Sequence, residues 1–149
     1  RARYEPLADS AMTEVKIGTK VPSWTMEHVD AQRMKTMAAI LRDPYEVHWD
    51  HEAVRPLGFD RVINQGPLNL SYLANMLMAW QGASCVRRLN VRFTLPVFEG
   101  DKLIAHGTVI DLEQVAGEHR ATCDVHLDRG KETVMVGTAV VALDQAVSS

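Results

Sequence analysis

From Pro67 to Trp80 the chain carries a helical stretch that is apolar nearly all the way round. Leu68, Leu70, Leu73, Met76, Leu77 and Ala79 cover most of its circumference. The dipeptide Gly66-Pro67 supplies the start, since proline at the first helical position gives up an N–H that would lack a helical partner there. A helix without a polar face has to be buried. At about 1.5 Å per residue it runs roughly 21 Å, so a layer of similar span must cover it. The chain after Gly82 offers that layer. Leu89, Val91, Phe93 and Leu95 alternate with Arg88, Asn90, Arg92 and Thr94, the period of a half-buried strand. A turn at 98–101 leads to a strand from Leu103 to Ile110, and a turn at 116–118 leads to the alternating Ala121, Cys123, Val125 and Leu127. A turn at 128–131 leads to a last strand from Thr133 to Leu143. Four consecutive strands on short turns predict an antiparallel meander. The expected class is α+β, with the antiparallel sheet curling around one long central helix.

The N-terminal half adds smaller elements. Asp30 suits an N-cap, and Met34, Met37, Ala38 and Leu41 share one face at spacings of three and four, which predicts a helix over 30–41. Pro44 stops it, because the residue before a proline, Asp43, is pushed out of the helical region. A short helix over 51–54 is expected to close at Pro56 and Gly58. Met12 opens a plausible natural start, so residues 1–11 are expected to be an expression scar or a loose arm and 12–149 a single domain.

Composition narrows the function. A formal charge of −3 argues against nucleic acid or an anionic membrane as partner, since both reward a basic surface. No apolar run reaches the roughly 18 to 20 residues that cross a bilayer. Cys85 and Cys123 form no Cys-x-x-Cys and are expected to be small buried hydrophobes. No charged segment followed by an apolar one opens the chain, so a cytoplasmic location is expected. A small sheet leaves an open edge, and pairing it with a second sheet predicts a dimer.

Chemistry concentrates in Arg42-Asp43-Pro44-Tyr45-Glu46-Val47-His48-Trp49-Asp50. A carboxylate and an imidazole five positions apart can manage one water, one group taking a proton while the other returns one. The plainer reading is a turn-forming Asp43 and a hydrogen-bonded surface His48. His48, Asp50 and His51 could look like metal ligands, but one His-x-x-His with no further cluster is thin for ions that need a third protein ligand in reach, so no metal is expected.

These residues carry a resemblance. The chain resembles the MaoC-like, or (R)-specific enoyl-CoA hydratase, family with the hotdog fold. Its Asp-x-Asn-Pro-aliphatic-His motif is met by Asp43, Val47 and His48, and its turn into the central helix by Gly66-Pro67. The "RF…PV…GD" segment is met by Arg92-Phe93, Pro96-Val97 and Gly100-Asp101. Tyr45, Glu46 and Gln65 stand where the family usually has Asn, Pro and His. The loop variant also looks like the small subunits of heteromeric acyl-CoA hydratases.

The resemblance implies a lyase that adds water to an enoyl thioester, or removes it from an (R)-3-hydroxyacyl thioester. Coenzyme A or a carrier protein would bear the substrate, and no cofactor is implied. Asp43 and His48 would be the catalytic dyad. The Gly66 N–H, at the positive end of the helix dipole, would be the oxyanion donor. Tyr45, Trp49 and Gln65 would line the substrate, with Arg92 against the phosphates of coenzyme A. A homodimer, or a heterodimer with another hotdog subunit, is expected. Two alternatives stand beside this one: a partly active or inactive subunit of a heteromeric hydratase, and a hotdog thioesterase. The second is disfavoured because 67–80 contains no Asp or Glu.

Overall fold

The period-two and period-3.6 patterns become one sheet and one buried helix in the computed structural model, which describes residues 14–144. The arm expected at 1–11 lies outside them. Five strands are described: β1 (Lys20–Met26), β2 (Val86–Phe93), β3 (Leu103–Val115), β4 (Glu118–Arg129) and β5 (Glu132–Ala142). Three α-helices accompany them: α1 (Ala31–Leu41), α2 (His51–Val54) and α3 (Gly66–Gln81). The strands form a single antiparallel sheet in the order β1-β3-β4-β5-β2. Helix α3 packs on one face of that sheet and touches all five strands. This is the hotdog fold, of class α+β.

The core lies between them. Leu73, Met76 and Leu77 of α3 meet Leu103, Ala105 and Val109 of β3, Cys123 and Leu127 of β4, and Met135 and Ala139 of β5, all buried. Both cysteines are free and inside. At Gly107 a Cβ would stand 2.9 Å from Val21 and 3.2 Å from the Met76 side chain. Glycine there lets α3 and β1 close on β3.

Three expectations need correction. The four later strands do not form a meander, since β2 pairs with β5 and not with β3. The turn at 98–101 does form, with Asp101 N–H donating to the Phe98 carbonyl, but the chain crosses the sheet through it. It is pinned elsewhere: the buried Asp101 carboxylate accepts from Arg61, Arg129 and the Phe98 N–H, and Phe98 bridges to Ile63. Strand β1 was not expected, because Pro22 interrupts its apolar pattern. The register slips between Val21 and Trp24, and β1 is an edge strand, the two settings where a sheet tolerates proline. Finally, α3 is not buried all round. Tyr72 and Asn69 join its buried face while Ala79 is exposed.

Candidate active site

The site begins where α1 ends. Asp30 caps the start of the helix, accepting from the Gln32 N–H at 2.8 Å. Arg42 ends it in the left-handed conformation (φ 53°), one residue before the position at which Pro44 would have stopped it. The Asp43 N–H then donates back to the Ala38 carbonyl at 2.9 Å. Asp43 Oδ1 accepts from the Tyr45 N–H at 3.2 Å, an Asx turn. Its second oxygen is left facing His48.

A short 3₁₀ turn over Glu46–His48 presents the imidazole. Val47 is buried and anchors the turn, and its carbonyl accepts the Ile63 N–H at 2.9 Å. His48 Nδ1 lies 2.6 Å from the Ile63 carbonyl oxygen. A carbonyl only accepts, so Nδ1 carries the hydrogen. In the neutral ring the lone pair is therefore on Nε2, 3.5 Å from Asp43 Oδ2. Two acceptors at that separation do not bond directly. They are spaced to share a proton donor, either a hydrogen on Nε2 or one water. The imidazole side chain is 12% exposed and the carboxylate 38%, so Asp43 is the member of the pair that opens to the surface.

Asp43, with His48 behind it, lines a cleft of about 640 Å³ together with Lys35, Ala38, Ala39, Arg42, Pro44 and Trp49. Its alanines and proline make an apolar floor, with cations at 35 and 42. Trp49 is anchored through its indole N–H to the Pro44 carbonyl at 3.4 Å. Tyr45 sets its ring edge-on to His48, with centroids 5.8 Å apart.

Ile63 also links the dyad to α3, whose first residue lies only three positions later, at most about 11 Å of chain. Gly66 opens the helix, and its N–H has no hydrogen-bond partner among the described residues. Pro67 follows without an N–H. The Phe93 ring lies 3.3 Å from where a Gly66 Cβ would be, roofing the helix start. Asn64 N–H donates to the Val97 carbonyl at 2.7 Å, and its side chain donates to Asn69 and Tyr72. Burial pushes the Tyr72 hydroxyl above its ordinary range.

The expected site residues thus divide. Asp43, Tyr45, His48 and Trp49 share one loop, and Gly66 is tied to them through Ile63. Gln65 is not a wall of the cleft: it is fully buried and donates to the Met34 carbonyl at 2.8 Å, joining α1 to α3. Arg92 is also misplaced. It stands opposite Val136, whereas Phe93 stands opposite the buried Met135, so alternation sends Arg92 to the sheet face away from Gly66. Lys35, Arg42 and Phe93 were overlooked. Lys35, Ala39 and Arg42 follow spacings of four and three on one helix face, a signal that was present in the sequence. The meeting of Phe93 with Gly66 depends on the strand order and left none.

A family model, the MaoC like domain, matches residues 13–130 of the chain. Among solved structures, the (R)-hydratase from A. caviae involved in PHA biosynthesis superposes with a TM-score of 0.74 at 26% identity, covering 88% of this chain and 98% of its own. R-hydratase PhaJ1 from Pseudomonas aeruginosa gives 0.75 at 20% identity, covering 91% and 89%. A chain of the ChsH1-ChsH2 complex from Mycobacterium tuberculosis gives 0.76 at 17% identity, covering 89% and 99%. No curated protein sequence matches the chain.

Proposed function

Because the chain belongs to the MaoC-like domain family of hydratases and dehydratases, we propose that it adds water to an enoyl thioester, or removes it from the (R)-3-hydroxyacyl thioester. Asp43 and His48 are its dyad in this reading. The observation that carries it is the 3.5 Å approach of Asp43 Oδ2 to His48 Nε2, with Nδ1 committed to Ile63.

The chemistry follows from those atoms. Asp43 and Nε2 hold one water. Nε2 takes its proton as the oxygen bonds to the β carbon, and the π electrons move onto the thioester oxygen. The Gly66 N–H and the dipole of α3 receive that charge. The enolate then collapses as Nε2–H returns a proton to the α carbon, so both additions come from one face. The acyl chain lies on Ala38, Ala39 and Pro44, and Lys35 and Arg42 meet the phosphates of coenzyme A. The absence of any carboxylate in α3 speaks against thioester hydrolysis.

A second reading has its own observation. Ile40, Tyr45 and Trp49, on the segment that carries Asp43 and His48, are 68%, 58% and 40% exposed, apolar surface that suits a second hotdog subunit, as the ChsH1-ChsH2 neighbour is a complex of two chains. Crotonyl-CoA and longer enoyl-CoAs, followed as loss of conjugated-enoyl absorbance, test the first reading. Free thiol release with no hydration would reverse it in favour of a thioesterase. Inactivity of the chain alone, relieved by a co-expressed hotdog partner, would establish the second.

A further inference from the structure

The sheet face turned away from α3 carries a second cluster of titratable side chains. His106 on β3 stands directly opposite His126 on β4. Their rings stack with centroids 5.1 Å apart and planes at 28°. Asp128 lies two residues beyond His126, on the same face. Its Oδ2 is 3.5 Å from His126 Nε2 and 3.8 Å from His106 Nε2. One ligand atom from each of the three falls within 4.8 Å of the others. Asp128 Oδ1 is already held, accepting from the Thr133 hydroxyl at 2.7 Å.

We propose that His106, His126 and Asp128 bind a borderline divalent cation, Zn²⁺ or a neighbour of similar softness. Two imidazoles and one carboxylate are a donor set such ions take. Ligand atoms about 2.0 to 2.2 Å from a tetrahedral ion stand roughly 3.3 Å apart, so the Asp128 oxygen need move only tenths of an ångström toward each imidazole to share one. The strands that bear them are interior strands of the sheet, paired on both sides, and rigid elements hold a ligand set better than loops. Thr133 orients the carboxylate so that its free oxygen faces the rings, an outer-shell contact of the kind metal sites use. The three side chains are partly exposed, His106 40%, His126 41% and Asp128 23%, which leaves a fourth position open to water. The ion joins β3 to β4 on the face opposite Gly66, so its binding does not depend on the dyad.

Titration of the untagged chain with Zn²⁺ by calorimetry, and with Co²⁺ by its visible bands, tests the site. One equivalent should bind, with tetrahedral Co²⁺ absorption and a raised melting temperature. His126→Ala and Asp128→Asn should each abolish binding, and Thr133→Val should weaken it by about tenfold, while His28→Ala should leave it unchanged. Failure of the folded wild-type chain to take up Zn²⁺, or uptake that persists in His106→Ala/His126→Ala, would overturn the proposal. Retained far-ultraviolet dichroism in the variants separates lost ligands from lost fold.

Discussion

His48 donates through Nδ1 to the Ile63 carbonyl across 2.6 Å, and that bond ties the loop carrying the carboxylate to the segment that launches α3. It selects the tautomer whose Nε2 can accept a proton. His48→Ala removes the acceptor, and Asp43→Asn removes the charge beside it. Each should lower turnover by about 10²- to 10⁴-fold. Near-normal hydration of crotonyl-CoA by either variant would remove the dyad from the mechanism.

Gly66 and Phe93 make a second test. A methyl group at Gly66 would press the Phe93 ring at 3.3 Å, moving the ring or the helix start. Gly66→Ala should reduce kcat by up to about 100-fold, the scale of a small misplacement at a reacting centre. Adding Phe93→Ala should restore part of it. Steady-state kinetics of the single and double variants would show whether the ring is the obstacle, and no recovery would locate the damage in the backbone donor itself.

The cleft cations predict a split between substrates. Lys35→Ala and Arg42→Ala should each raise KM for an enoyl-CoA by about tenfold, near the value of one charge-assisted hydrogen bond, and leave kcat almost unchanged. An enoyl pantetheine thioester has no nucleotide phosphates, so its KM should not move. Equal losses for both substrates would place these side chains outside phosphate recognition.

Asp101 should matter for stability. Its carboxylate is 6% exposed and holds Arg61 and Arg129 at 2.8 and 2.9 Å, while both guanidinium groups lie over the Phe98 ring. Asp101→Ala leaves the part-buried Arg129 guanidinium and the Phe98 N–H without their acceptor and frees the crossover, which should cost about 2 kcal/mol. Urea unfolding of the variant measures this directly.

Burial pushes the Cys123 thiol up to about 12, and Asp124 adds to the shift. In an unfolded chain a thiol titrates near 8.5, so above that pH the folded state holds the proton that the unfolded state has lost. This contribution to stability is complete at neutral pH and declines as pH rises, by at most about 1.4 kcal/mol per pH unit. Urea midpoints measured at increasing alkalinity should fall more steeply for the wild type than for Cys123→Ala.

Much of this molecule was legible before any coordinates, for a physical reason. Features set by neighbours in the chain were readable: the Asp30 cap, the face formed by Met34 and Ala38, the alternation of Ala121 to Leu127, and the start of α3 at Gly66. So was the spacing that brings Asp43 to His48, because both belong to one short loop. Features set by which strands lie side by side were not. The placement of β2 beside β5 decides that Phe93 meets Gly66 and Arg92 does not. Likewise, His106 and His126 are separated by twenty positions and meet only through register. Gln65 was placed against the substrate by the resemblance alone, because it stands where the family usually has His, and only the packing of α1 on α3 shows its amide spent on the Met34 carbonyl.

The sheet's two margins differ in what they offer a neighbour. On β1 a missing amide at Pro22 and the slipped register next to it break the row of donors that an added strand would need. On β2 an unbroken backbone from Arg88 to Phe93 pairs in step with β5. Growth of the ladder is thus directional, and a chain adding there would run alongside the residue that roofs Gly66.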